Sequence, residues 1–245
     1  MNATRKAVVT GAASGIGRAT ADRLLREGVA VLGVDVDGAG LEHLAAAGAD
    51  VLVADLARPE ERDRVAGTAA GADYLVNAAG IIRLKPILEF TVEDWRETFT
   101  VNAESIFFLC QAIGPGLRDG GAIVNLSSSS AKLATTTEAC VYAASKTTIL
   151  SITRSFAYAL APGVRVNAIC PGIVDTPMQD KVLDEVSVVR GMTRKELEAA
   201  STRMVPLGRT SPAEECAALI WFLLSEESAY MTGQAINWTG GMVTW

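Results

Sequence analysis

Ala7-Val8-Val9-Thr10-Gly11-Ala12-Ala13-Ser14-Gly15-Ile16-Gly17 runs from an apolar stretch into three closely spaced glycines. It reads as a strand over 7–10, a turn over 10–17 and a helix over about 17–27. Gly11 permits the tight turn, Gly15 lets backbone N–H groups approach a pyrophosphate, and Gly17 lets the helix pack closely on the strand. The helix start then faces an anion with unpaired donors and the positive end of its dipole. The spacing is GxxxGxG rather than the commoner GxGxxG, and a glycine cluster by itself also fits a plain turn. Its place between the first strand and the first helix favours nucleotide binding.

Outward from this turn the chain alternates. Strands are predicted at 29–34, 51–54, 73–77, 122–127, 164–169 and 235–237, with helices near 40–47, 92–113 and 141–160. A short helical segment falls between Asp55 and Asp73. Gly114-Pro115-Gly116 ends the first long helix and Pro162-Gly163 the second, where Ile149, Ile152, Phe156 and Leu160 share one face. Ser211-Pro212-Ala213-Glu214 reads as a capping box with Pro at the first helical position, opening a helix to about Leu224. The pattern implies one α/β domain over 1–245, a doubly wound Rossmann-type parallel sheet of about seven strands with helices on both faces. Residues 177–206, with the charged run 193–198, lack strand character and read as a long loop, of a length that is usually functional or mobile.

Composition narrows the function classes. Hydrophobic residues make up 49% of the 245 and aromatics only 6%, so the apolar content is mostly aliphatic, as buried parallel strands require. The net charge of −6 comes without any cluster of Lys and Arg, so no nucleic-acid partner is expected. Cys110, Cys140, Cys170 and Cys216 lie far apart with no CxxC pair, and read as reduced core thiols. His43 is the single histidine, so no metal site is expected. No apolar stretch reaches the ~18 residues of a membrane span, and Met1 to Lys6 leads straight into a strand without room for a signal peptide. A cytoplasmic location is expected.

Two further signals give chemistry. Asp35 follows the second strand, 18 residues after Gly17, where a carboxylate accepts hydrogen bonds from ribose hydroxyls and repels a 2′-phosphate. Val36 and Asp37 follow it, not an arginine, and Ser14 occupies a turn position where a basic residue would meet that phosphate; NAD is the expected cofactor. Tyr142-Ala143-Ala144-Ser145-Lys146 places Tyr and Lys four apart on one helix face, so the ammonium is expected to favour the phenolate. A phenol tuned toward neutrality exchanges a proton with an alcohol as hydride leaves.

Together these motifs resemble the short-chain dehydrogenase/reductase family, and the resemblance covers essentially the whole chain. Residues 10–17 match its cofactor turn, implying contacts at Gly11, Ser14, Gly15, Ile16 and Gly17. Asp55-Leu56 matches the pair at the adenine, and Asn77-Ala78-Ala79-Gly80 the segment that supports the sheet and lines the cofactor, with Ala78 where a second Asn often stands. The chain between Asp55 and Asp73 is a few residues shorter than usual, which implies a stunted helix. Asn102 matches the asparagine that holds a proton-relay water, and residues 124–128 the strand carrying the catalytic serine. The strand frame selects Ser128, whereas spacing back from the tyrosine selects Ser129; we take Ser128. Tyr142 to Lys146 matches the YxxxK motif, and residues 171–176 the PGxxxT turn, with Ile173 and Thr176 meeting the nicotinamide and phosphate side.

The resemblance implies that Ser128 hydrogen-bonds the substrate oxygen, Tyr142 transfers the proton, and Lys146 binds the nicotinamide ribose. It makes 177–206 a substrate lid and places Ile82, Arg83, Leu133, Glu138 and Cys140 near the pocket. Residues 204–209, 232–234 and 240–242 are similar to those of polyol and sugar dehydrogenases. The expected activity is interconversion of a secondary alcohol (polyol, sugar or other small alcohol) and its ketone. The alternatives are a 3-oxoacyl thioester reductase and a non-catalytic NAD-binding scaffold. The helices at 92–113 and 141–160 look like those that pair in family homotetramers, and Trp245 is expected to pack at a subunit contact.

Overall fold

In the computed structural model, which describes residues 4–133 and 136–245, Lys6–Thr10 (β1) leads through the glycine turn into Gly15–Arg26 (α1). There follow Ala30–Asp35 (β2), Gly38–Ala46 (α2), Asp50–Val53 (β3), Pro59–Thr68 (α3), Tyr74–Asn77 (β4), Val92–Phe99 (α4) and Ser105–Ile113 (α5). Gly121–Leu126 (β5), Cys140–Leu160 (α6), Val164–Pro171 (β6), Val174–Asp175 (β7), Pro177–Arg190 (α7) and Arg194–Arg203 (α8) come next. Ser211–Pro212 (β8), Ala213–Leu224 (α9) and Ala235–Trp238 (β9) complete the order. The main sheet has seven strands in the order β3-β2-β1-β4-β5-β6-β9, every neighbouring pair parallel. This is the doubly wound single-domain α/β fold expected from the alternation.

Alternate side chains of the central strands feed two cores. Ala7, Val9, Val76 and Val124 pack with Leu24 of α1 and Ile220 and Leu223 of α9 on one face. Val8, Leu75, Ile123 and Val166 pack with Ile106 and Leu109 of α5 and Ile149 of α6 on the other. Burial of each such aliphatic side chain stabilises the fold by ~1.5–3 kcal/mol. Strand order reverses between β1 and β4, and a crevice opens at the carboxyl ends of the strands where their following loops diverge. α3 is 10 residues long despite the shortened segment around it.

Three readings of the sequence change here. The helix expected over 92–113 is interrupted by a π-turn at Thr100–Glu104, which holds Asn102. The stretch 177–206 is a pair of helices, not a loop. Thr176 caps α7 with Pro177 at its first position and Gly191 closing it at φ 62, while Thr193 and Glu196 form a reciprocal capping box on α8. At Ser211 the expected capping box does not form. Ser211 is drawn into β8 against Val174, and its hydroxyl accepts from Trp238 Nε1 at 2.9 Å, so α9 begins at Ala213 with no side-chain cap.

Candidate active site

The glycine turn leaves a cradle that side chains would fill. Gly11 and Gly15 have φ of 67° and 54°. A Cβ on Gly17 would lie 2.1 Å from the Gly11 carbonyl oxygen, so only glycine lets α1 start this close to β1. The Asp35 carboxylate accepts from the backbone N–H of Ala13 and of Asp37, both at 3.0 Å, and so braces the turn from the end of β2. Thr10 Oγ1 accepts from Ala78 N and Ala79 N at 3.1 Å, tying the turn to the segment after β4. Sequence reasoning missed both braces, since nothing local in the chain marks them.

From this cradle a cavity of about 470 Å³ runs to Tyr142. Gly11, Ser14, Gly15, Ile16, Gly17, Asp35, Asp55, Leu56, Ala79, Gly80, Ser128, Tyr142, Lys146, Ile173 and Thr176 all line it. Thr176 closes on the turn, its Cγ2 only 3.3 Å from where a Cβ on Gly15 would stand. The cradle and the helix start together fit the pyrophosphate of a dinucleotide, with Asp35 at the far end of the cavity. Among the described residues, no cluster of three or more His, Cys, Asp or Glu could hold a metal ion.

Two expected site residues lie behind the wall. Asn77 is buried in the sheet, where its Nδ2 donates to Asn125 Oδ1 at 2.8 Å, so it joins β4 to β5 and does not line the cavity. Asn102 exchanges hydrogen bonds with the Ile81 backbone at 2.8 and 2.9 Å and donates to Ser145 Oγ at 3.0 Å. Ser145 Oγ in turn donates to the Tyr142 carbonyl. The Asn102 side chain thus pins α6 and the Ile81 segment to the π-turn. Of the further pocket candidates Ile82 lines the cavity; Arg83 is paired with Glu97, Glu138 with Arg190, and Leu133 and Cys140 lie off the wall.

Chemistry concentrates at the start of α6. Lys146 is buried, and its Nζ donates to the Leu126 carbonyl at 2.8 Å and stands 5.7 Å from the Tyr142 ring centre. Burial pulls the ammonium down to about 8. Burial pushes the Tyr142 phenol above its usual value, and a hydrogen bond with Ser128 pulls it back. Burial, and not the expected lowering by the Lys146 cation, governs the phenol in this state. Ser128 also accepts from Ser130 N at 3.1 Å, while Ser129 begins a short 3-10 turn after it. Ser127 Oγ donates to the Lys146 carbonyl at 2.8 Å, locking strand end to helix. Around the phenol, Ile82, Leu84, Met178, Val182, Val186 and Leu197 make an apolar chamber closed by α7 and α8.

Known proteins resemble this chain along nearly its full length. The family described as enoyl-(acyl carrier protein) reductase matches residues 11–243. D-threitol dehydrogenase of Mycolicibacterium smegmatis is 36% identical over 96% of this chain and 91% of its own. A 3-oxoacyl-[acyl-carrier-protein] reductase of Thermotoga maritima is 35% identical over 96% of each chain. Among solved structures, a short-chain dehydrogenase/reductase (glucose/ribitol dehydrogenase) of Brucella melitensis superposes with a TM-score of 0.90 at 32% identity, covering 98% of this chain and 97% of that one. Actinorhodin polyketide ketoreductase, solved with NADPH, gives 0.91 at 30% identity over 99% and 98%.

Proposed function

The chain belongs to the short-chain dehydrogenase/reductase family of oxidoreductases, and on that premise we propose that it interconverts a secondary alcohol, a polyol or sugar before others, with its ketone using NAD. The observation that carries this reading is the Ser128–Tyr142 pair of hydroxyls at one end of a cavity whose other end carries Asp35. In it, Ser128 orients the substrate oxygen and Tyr142 takes or gives its proton. Lys146 holds the ribose beside the phenol. The nicotinamide supplies or receives the hydride when bound. The Asn102 side chain, bonded to Ile81 and Ser145, positions the start of α6 behind Tyr142. The 35% identity to a 3-oxoacyl reductase favours a second reading, reduction of a 3-oxoacyl thioester. A turnover screen of polyols, sugars, cyclic alcohols and 3-oxoacyl thioesters with NAD and NADP separates the two.

NAD binding is expected to be at least ~10-fold tighter than NADP binding, since a 2′-phosphate would meet the Asp35 carboxylate. Asp35→Ala should erode that preference, and would also release the Ala13 brace. Titration showing equal affinities in the unaltered protein would refute this assignment. A cytoplasmic homotetramer completes the proposal. All four cysteines are free thiols, and among the described residues no helix is long and apolar enough to cross a membrane. Trp95, Phe107 and Phe108 of α4 and α5 and Tyr158 of α6 are exposed on the faces that would pair, and Trp245 is exposed at the chain end. Light scattering at micromolar concentration should give a tetramer; a monomer would remove this part.

A further inference from the structure

Arg190 ends α7, and Glu138 stands four residues before Tyr142. Arg190 Nε donates to Glu138 Oε1 at 2.8 Å, and Nη2 donates to Glu138 Oε2 at 2.9 Å and to Thr136 Oγ1 at 3.0 Å. Glu138 is buried at 9% side-chain exposure, whereas Arg190 is 36% exposed and lines the cavity together with Thr136. Val186, one turn earlier on α7, packs in the apolar chamber around Tyr142, so the fork stands at that chamber's mouth. Lys146 apart, Arg190 is the charged side chain among the described residues lining this end of the cavity.

The arrangement is a donor without net charge. The fork beside it holds the Glu138 carboxyl down to about 2, so the pair stays ionised and mutually neutral across working pH. Nε and Nη2 are engaged, and among the described residues no acceptor meets Nη1. A hydroxyl oxygen arriving there accepts a hydrogen bond and brings no charge. A carboxylate arriving there would meet the negative field of Glu138, and the cation that should attract it is already matched.

We propose that Arg190 is a specificity-determining residue, taking a substrate hydroxyl beyond the reacting carbon. In the same proposal Glu138 is the positioning residue that aims the fork and cancels its charge, so that neutral polyhydroxy alcohols are selected over hydroxy acids. This rests on the alcohol-oxidoreductase reading above. It names the substrate class of that same site: short polyols with a further hydroxyl beyond the oxidised carbon.

The test is kcat/KM of the full chain on three four-carbon substrates, butan-2-ol, butane-1,2,3,4-tetrol and 3-hydroxybutyrate, in the wild type and in Arg190→Met, Arg190→Lys and Glu138→Gln. The wild type should favour the tetrol over both others. Arg190→Met should reduce the tetrol to butan-2-ol ratio ~10-fold or more, because a site built around a hydroxyl loses its discrimination when the partner is removed. Arg190→Lys, which keeps charge but not the fork, should fall between. Glu138→Gln leaves an unmatched guanidinium, so the hydroxybutyrate to tetrol ratio should rise ~10-fold or more. The rise in melting temperature on adding the cofactor reports folding of each variant; if Glu138→Gln fails to fold, the two Arg190 ratios decide. An active wild type whose ratios do not move in the variants overturns the role of Arg190 alone. A wild type that turns over none of the three alcohols, yet reduces 3-oxoacyl thioesters, overturns the alcohol reading and this inference with it.

Discussion

Tyr142→Phe is expected to lower kcat by ~100- to 10,000-fold, the usual contribution of general acid–base catalysis, while fold and cofactor binding persist. The ring remains in contact with the apolar chamber of Ile82, Ala139 and Val182, so packing is unchanged. What leaves is the phenol hydroxyl and its hydrogen bond with Ser128. The same residue sets the pH dependence. Burial raises the phenol above its usual value, so the protonated form prevails at neutral pH. Oxidation of an alcohol needs the phenolate as base, and its rate should rise with pH on the alkaline side. Ketone reduction needs the phenol as acid, and its rate should fall over the same range. Steady-state turnover against pH checks both. A Phe variant that keeps most of its kcat, or a wild-type oxidation rate that falls with rising pH, refutes the assignment.

Legibility in the sequence followed the range of the forces involved. The glycine turn, the alternating elements and the Tyr142–Lys146 spacing are local, and apart from the helix over 92–113, which the π-turn divides, each expected strand and helix stands within a few residues of its place. Helices α7 and α8 carried legible signals in Thr176-Pro177 and Thr193…Glu196, the same chemistry that was read at Ser211. There it misled, because pairing with Val174 and the Trp238 indole claimed the serine. These are contacts across long stretches of chain, and no window of sequence reports them. The same holds for the Arg190–Glu138 pair, 52 residues apart, and for Asn77, whose burial between β4 and β5 depends on strand order. Asn102 is marked in the sequence only as a site candidate, and its π-turn is not legible there, since the hydrophobic period over 92–113 runs through it undisturbed.

Lys146→Met should separate chemistry from stability most sharply. The wild-type ammonium is buried, donates to the Leu126 carbonyl at 2.8 Å, and has its pKa pulled down to about 8 from 10.5. A lysine with a depressed folded-state value disfavours folding in its charged form. That penalty is fully present below about 8 and fades as pH rises from there toward 10.5. Methionine of similar length removes the penalty, but leaves the Leu126 carbonyl without its donor, at a cost of ~1–3 kcal/mol. The two effects oppose each other, so the melting temperature at neutral pH should stay near that of the wild type. Above about pH 8 the variant should lose ground relative to the wild type, whose lysine is then neutral. Turnover has no such compensation. The variant loses the cation beside the phenol and the group assigned to the ribose, so kcat should fall ~100-fold or more and cofactor affinity should weaken with it. Thermal unfolding, cofactor titration and turnover on one preparation test this together. A variant that unfolds at neutral pH would show Lys146 to be a structural residue, and one that keeps wild-type turnover would remove it from the mechanism.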